Sequence, residues 1–299
     1  MIAPSSARIL LSSGEPSGDL YAGALTRALQ ALDPDIVVSG MGGPQFAAAG
    51  GQLIEDYRGL AVTGLTEAIA KVPRSLATIG RLVQSARATR PDVLVVIDSP
   101  DFNLPLARRI KKLRIPIVYY ISPQIWAWRA GRLNTIRAVA DRMLVIFPFE
   151  ERIYREGGVP VTFVGHPLID LIKPSDTDSF LARHGLSSAS PIIAILPGSR
   201  RNEVQRILPD LVAAAERIRS RVAEAQFLVA RAPDLDDRLF DLVRARGSAL
   251  GDRVAIVEGE TDAVLDAADV ALTASGTATV QAALHDTPMV IVYRLSPIT

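Results

Sequence analysis

The sequence predicts an α/β protein built from two tandem doubly wound, Rossmann-like units. Three observations carry that expectation. Short β-branched apolar runs recur along the chain without polar alternation, as parallel strands covered on both faces require. Helix-compatible amphipathic segments separate them, so that each strand leads through a right-handed crossover to the next. The length, 299 residues, is about twice that of a common domain.

Taken in order, the first series of strands is "ARILLSS" (7–13), "DIVVSGMG" (35–42), "DVLVVID" (92–98), "IPIVYYIS" (115–122), "RMLVIF" (142–147) and "VTFVGH" (161–166). "LYAGALTRALQAL" (20–32) and "LPLARRIKKL" (104–113) read as helices between them. A second series follows: "PIIAILPG" (191–198), "AQFLVAR" (225–231), "VAIVEG" (254–259), "ADVALTAS" (268–275) and "PMVIVYR" (288–294). The stretch "GHPLIDLIKPSDTDSF" (165–180) turns polar towards its end, which places a boundary near residue 170 and gives units 1–169 and 170–299. Ligands of such folds bind beyond the carboxyl ends of the strands, and a cleft between two such edges is expected. The sequence stops soon after a strand, at "YRLSPIT", so the second unit is expected to be incomplete and the chain a fragment.

Composition bounds the function. Apolar residues make up 48% and charged residues 22%, as in an ordinary globular protein with a sizeable core. With no cysteine, a disulfide framework, a thiolate metal site and a cysteine nucleophile are excluded. The start, "MIAPSSARILLSSGEPSGD", does not read as a signal peptide, and runs such as "VLVVI" are too short to span a bilayer. A soluble or peripheral protein is expected. The net charge of +1 divides unevenly: residues 1–166 hold 19 Lys+Arg against 14 Asp+Glu, and the remainder 14 against 18. A basic first half suits an anionic substrate or an acidic lipid surface, and chance accounts for it equally well. "TEAIAKVPRSLATIGRLVQSARATR" (66–90), with Lys71, Arg74, Arg81 and Arg87, is either a membrane-facing basic amphipathic helix or an ordinary helix packed on the sheet. Nothing resembles a nucleic-acid module, and no His/carboxylate set has metal-ligand spacing.

Three glycine-containing turns carry candidate chemistry. In "SSGEPSGDLYAG" a strand ends in small residues and a helix starts near Gly18 or Asp19. Its N–H groups, with Glu15, Ser17, Gly18 and Asp19, suit an anion or sugar hydroxyls, or form only a tight turn. "LPGSRRNEV" (196–204) offers backbone at Gly198 and Ser199 and planar cationic donors at Arg200 or Arg201, one of the two being a solvated helix-start residue. In "TASGTATVQAAL" (273–284), Ser275, Gly276 and Thr277 follow a strand and cap a helix. Two such turns in one unit point to a nucleotide diphosphate, and the missing Walker lysine argues against ATP hydrolysis.

"VVIDSPDFN" ends a strand in Asp98. Asp98 is the candidate general base and Asp101 the helix cap, with Asp98 as a mere cap the alternative. His166, in "VGHP" at a strand end, is a candidate ligand contact, whereas His184 and His285 read as surface or turn residues. "SPQIWAWRAGR" (122–132) holds both tryptophans, Trp126 and Trp128, beside Arg129 and Arg132, in a chain only 5% aromatic. An indole there stacks on a sugar face or packs on an acyl chain, while an arginine meets a phosphate; Trp126 in the core with Trp128 alone at the ligand is the other arrangement.

In this order, "SGEPSGD", "GMGGPQF", "IDSPDFN", "SPQIWAWRAGR", "FPFEERIYREGGVPVTFVGHPL", "LPGSRRNEV", "ASGTATVQAAL" and "PMVIVYRLSP" resemble the lipid-A-disaccharide synthases, glycosyltransferases of the two-Rossmann-unit GT-B type. The resemblance spans essentially the whole chain. It implies an inverting transfer from UDP-2,3-diacylglucosamine to 2,3-diacylglucosamine 1-phosphate, with release of UDP. It gives Asp98 the acceptor's 6-hydroxyl proton and loops 198–201 and 275–277 the departing UDP. The acceptor side falls to Glu15, Ser17, Gly18, Asp19, Trp126, Trp128, Arg129, Arg132 and His166. No metal or cofactor is implied, and attachment to the inner face of a cytoplasmic membrane is expected. The family pattern carries glutamate, on a ribose diol, where this chain has Gln281, and family members usually continue past this end. Another UDP-sugar enzyme of the same fold, or a non-catalytic domain pair that binds nucleotide or membrane, are the competing readings.

Overall fold

The computed structural model describes residues 6–59, 65–125, 131–172, 175–233, 235–246, 250 and 253–294, with the side chains of 59 and 65–71 outside the description. The chain forms two compact units, Met1–Pro167 and Leu168–Thr299.

The first unit is a seven-stranded sheet in the order β3-β2-β1-β4-β5-β6-β7, parallel throughout. Its strands are β1 (Arg8–Ser13), β2 (Val37–Gly42), β3 (Gln52–Asp56), β4 (Val93–Ile97), β5 (Ile117–Tyr120), β6 (Arg142–Val145) and β7 (Val161–Phe163). The central pair, β1 and β4, consists almost wholly of buried residues, because helices cover both faces of a parallel sheet. One strand has no counterpart in the sequence reading. "QLIED" of β3 is half polar and no better than partly buried; it lies at the sheet edge, where burial does not demand an apolar run.

Helices α1 (Pro16–Leu32), α2 (Pro44–Ala48), α3 (Leu65–Thr89), α4 (Pro100–Lys111), α5 (Arg132–Val139) and α6 (Pro148–Glu156) connect these strands. The basic segment 66–90 forms α3, a single helix that runs through Pro73. It buries Ile79, Leu82 and Ala86, spaced three and four residues apart, in the core beside Leu94, Val96 and Ile117. Nearer the start of α3, on the same side of the helix, Val72 and Leu76 are about half exposed, at 50% and 47%.

The second unit repeats the plan with five parallel strands. They are β8 (Ile192–Leu196), β9 (Gln226–Arg231), β10 (Val254–Glu258), β11 (Val270–Ala274) and β12 (Met289–Val292), in the order β10-β9-β8-β11-β12. Its helices are α7 (Leu168–Leu171), α8 (Thr177–Arg183), α9 (Arg201–Arg221), α10 (Asp241–Ala245), α11 (Thr261–Asp266) and α12 (Thr277–Leu284). One face of the sheet packs Ile193, Ile195, Phe227 and Val229 on Val204, Leu208 and Leu211 of α9. The other packs Ala194, Leu228 and Ala271 on Phe180, Val264 and Leu265. Among the described residues, no helix is long and apolar enough to cross a membrane.

Gly40 permits the close pairing of β1 and β2. Its φ is +151°, the β2–β3 register shifts beside it, and a Cβ there would lie 1.9 Å from the Leu11 carbonyl oxygen. A backbone atom in a central strand cannot move aside, so Gly40→Ala should destabilise the chain by roughly 3 kcal/mol or more. Urea unfolding followed by far-UV circular dichroism checks this; an unchanged midpoint would contradict it.

Candidate functional site

In the first unit the strand order reverses between β1 and β4, and a doubly wound sheet binds its ligand at that switch point. The two segments leaving those strands are the glycine turn that begins at Gly14 and the Asp98–Ser99 corner. They touch: a Cβ on Gly14 would lie 2.7 Å from Ser99 Oγ, so the approach requires glycine.

Asp98 and Ser99 adopt φ values of +42° and +43°. Two successive non-glycine residues in the left-handed region cost about 1–3 kcal/mol each, so the surroundings must hold them there. Asn103, fully buried in α4, does so. Its amide nitrogen donates to the carbonyls of Ile97 at 3.0 Å and Asp98 at 2.8 Å, while its oxygen accepts from Ser12 Oγ of β1 at 2.7 Å. The Tyr119 hydroxyl also donates to the Asp98 carbonyl, at 2.8 Å. Asp98 is thus fixed, half-buried, at the carboxyl edge of the central strand. Burial, and after it the Asp98 charge, push the Tyr119 hydroxyl well above the ordinary tyrosine range. Tyr21 is raised likewise, by burial first and then by Tyr120, Asp98 and Glu15, which places Glu15 and Asp98 in one electrostatic neighbourhood. The sequence reading missed Tyr21, Asn103 and Tyr119; the signal open to it was a buried amide five residues past Asp98.

Several sequence expectations are redistributed. Helix α1 starts at Pro16, ahead of Gly18, because proline suits a first helical position; Glu15 is its cap residue, and Ser17 and Gly18 lie in its first turn. Gly18 packs on Ser13, where a Cβ would stand 3.2 Å from the serine Cβ. Asp19, only 2% exposed, serves the fold. Its carboxylate accepts backbone N–H groups of Gly43 at 2.6 Å, Gln45 at 2.9 Å and Phe46 at 3.1 Å, satisfying the N-terminus of α2. Asp101 does not cap α4, since Ser99 holds the cap position. Instead Asp101 pairs with Arg132 at the start of α5, so this candidate phosphate ligand stands one helix turn from the Asp98 corner.

Trp126, Trp128 and Arg129 lie outside the described residues. The segment leading to them is anchored: Ser122 donates to the buried Glu150, which also accepts the Phe147 N–H at 3.1 Å, and Tyr154 donates to the Pro123 carbonyl at 3.4 Å. His166 is half-buried between Tyr21 and Phe147, with ring centroids 6.2 and 5.6 Å away. Burial lowers its pKa from the ordinary histidine value, which favours a neutral ring that both donates and accepts.

In the second unit the strand order reverses between β8 and β11, the two strands that feed the remaining turns. Gly198 has φ +113°, and a Cβ would meet Glu203 at 2.6 Å. Glu203 Oε2 accepts the N–H groups of Ser199 at 3.1 Å and Arg200 at 3.2 Å, and its Oε1 accepts Arg200 Nη1 at 2.9 Å. A carboxylate of the chain itself therefore occupies the expected anion position. Arg201 is exposed as the first residue of α9. Ser275, Gly276 and Thr277 are exposed beyond β11, but the cap of α12 is Gly276, with no side-chain cap bond; the Ser275 N–H is held by the Val292 carbonyl at 3.1 Å. Gln281 donates from Nε2 to Asp262 Oδ1 at 3.1 Å. Among the described residues, no group of three or more His, Cys, Asp or Glu is placed to hold a metal ion.

Two parallel α/β units, each with its candidate residues at a switch point, define the two-Rossmann-unit class of folds. UDP-GlcNAc 2-epimerase from Neisseria meningitidis shares the fold with a TM-score of 0.70 at 12% identity, over 95% of this chain and 82% of that one. The glycotransferase of kitacinnamycin does so with a TM-score of 0.60 at 17% identity, over 98% and 82%. Within that class the sequence is more specific: the lipid-A-disaccharide synthetase profile matches residues 9–299, and the chain belongs to that family of hexosyltransferases. The lipid-A-disaccharide synthase of Myxococcus xanthus is 44% identical over 98% of this chain and 76% of its own length. That of Geobacter sulfurreducens is 39% identical over 100% and 77%.

Removing the Asn103 amide strands the Ser12 hydroxyl and frees the Asp98 corner. Asn103→Ala should cost roughly 2–4 kcal/mol of stability and lower kcat by at least about tenfold in the folded protein. Denaturant titration and steady-state rates read the two effects. A variant with parental kcat would show that the corner does not depend on Asn103.

Proposed function

We propose that the chain joins 2,3-diacylglucosamine from UDP-2,3-diacylglucosamine to the 6-hydroxyl of 2,3-diacylglucosamine 1-phosphate, with Asp98 as general base. Family membership supports the reaction, and the observation that carries the assignment of the base is the strained, fully anchored Asp98–Ser99 corner at the switch point. Strain of this kind persists where function uses it. Asp98 takes the acceptor's hydroxyl proton as the oxygen forms its bond to the donor C1. The bond from C1 to the UDP oxygen breaks, its electron pair leaves on the diphosphate, and the anomeric centre inverts. Arg200, Arg201, the Ser199 and Arg200 N–H groups once Glu203 yields them, and the turn at Gly276 and Thr277 meet the charge that develops there, so the reading includes no metal and no cofactor. Glu15, Ser17, Gly18, His166, Arg132 and the segment holding Trp126, Trp128 and Arg129 receive the acceptor, with Asp19 behind them as a scaffold. The half-exposed Val72 and Leu76 of α3, beside the exposed Arg74, suit the anionic inner face of a cytoplasmic membrane.

UDP release from the purified chain, mixed with both lipid substrates, tests the reaction. Release should require both lipids, fall by about 100-fold or more in Asp98→Ala, and fail when soluble UDP-N-acetylglucosamine replaces the donor. Equal release from the soluble donor would point to a different UDP-sugar enzyme, and an unaffected Asp98→Ala would remove the base. In flotation with anionic vesicles, the chain should rise with the lipid and Val72→Ser/Leu76→Ser should stay behind. Unchanged migration of the parent would contradict membrane attachment.

A further inference from the structure

Behind the loop at 275–277 runs a line of polar side chains that the reaction scheme leaves unused. The Ser175 N–H and hydroxyl donate to Asp266 Oδ2 at 3.0 and 2.8 Å. Asp266 Oδ1 faces His285 Nδ1 at 2.6 Å, and His285 Nε2 faces Asp262 Oδ1 at 3.1 Å. That same Asp262 oxygen accepts from Gln281 Nε2 at 3.1 Å. The sequence reading put His285 at the surface or in a turn; it stands in the turn that ends α12, but its side chain is 2% exposed, and its position gave no sign that two carboxylates one turn apart on α11 would enclose the ring. Ionised carboxylates only accept, so the line is fully bonded when both ring nitrogens carry hydrogen. Burial raises the Asp266 carboxyl, but its bonds to Ser175 and His285 prevail and leave it below the ordinary aspartate range.

We propose that Asp262, backed by His285 and Asp266, is a positioning group that fixes the amide of Gln281 for the ribose diol of a nucleoside diphosphate. An amide has a donor end and an acceptor end of nearly equal shape. By taking the nitrogen, Asp262 decides which is which and leaves Oε1 to accept a sugar hydroxyl. The pairing also accounts for glutamine at this position: a glutamate would set its carboxylate against that of Asp262, whereas the amide joins it. Asp262 and His285 do not touch the nucleotide; they act through Gln281. The inference rests on the proposed transfer from a UDP-sugar and on the ribose contact that the family resemblance implies at Gln281.

Calorimetric titration of the whole chain with UDP tests it. Gln281→Ala and Asp262→Ala should each weaken UDP by about tenfold, the upper range for the loss of one hydrogen bond between neutral groups. The double variant should lose no more than either single one, because the two residues act as a unit. Asp262→Asn keeps an oxygen for the amide and should stay within about threefold of the parent. Donor KM should rise in Asp262→Ala with kcat little changed. Should that variant fail to fold, Asp262→Ser, too short to reach Gln281, replaces it. Losses that multiply in the double variant, or full affinity in Asp262→Ala beside weakened Gln281→Ala, overturn the positioning role alone. Full affinity in Gln281→Ala overturns the nucleotide assignment at this residue, and the positioning role with it.

Discussion

The first unit depends on the way Asn103 joins two strands. Its oxygen takes a hydroxyl from β1 while its nitrogen serves two carbonyls at the end of β4. Those are the adjacent strands between which the sheet order reverses, so one amide ties together the segments that leave their carboxyl ends. It also stabilises a corner that two non-glycine residues would otherwise leave. A buried amide is costly unless every lone pair and hydrogen is matched. Here the partners of the amide nitrogen are backbone carbonyls, which substitution elsewhere cannot remove, and the oxygen is matched by the Ser12 hydroxyl. The backbone of Asp98 therefore takes its position from the sheet.

Much of this was legible in the sequence, and the reasons are specific. Runs such as "VLVVI" and "IIAIL" have no polar face, and only a strand covered on both sides tolerates that. "SSG", "LPG" and "ASG" after such runs marked the carboxyl ends where the turns occur. "QLIED" escaped notice because an edge strand need not be apolar. The start of α1 was displaced because proline at a first helical position outweighs the flexibility of Gly18. The residues whose partners lie far along the chain were the least legible. Asp19 reads as an anion-site residue beside a glycine turn, yet its partners, Gly43, Gln45 and Phe46, lie more than twenty positions on. Asp101 and Arg132 sit on different helices, and no spacing rule joins them.

The two units solve the same electrostatic problem differently. In the first, an acidic residue stands at the strand end beside tyrosines whose hydroxyls remain protonated. In the second, positive charge and backbone N–H groups gather at the start of α9, and Glu203 is already bonded to them. One strand-end chemistry suits the removal of a proton and the other the reception of a negative charge.

The Glu203 contact gives the second unit an intramolecular competitor. An anion arriving at the Ser199 and Arg200 N–H groups does not fill an unsatisfied site; it exchanges with a tethered carboxylate whose local concentration is high. Entry therefore forfeits part of its electrostatic gain, and departure is assisted, since the side chain returns to the same two donors. A loop arranged in this way keeps its shape without a ligand, and under the proposed reaction it favours exchange over retention, because Glu203 returns to the same two donors.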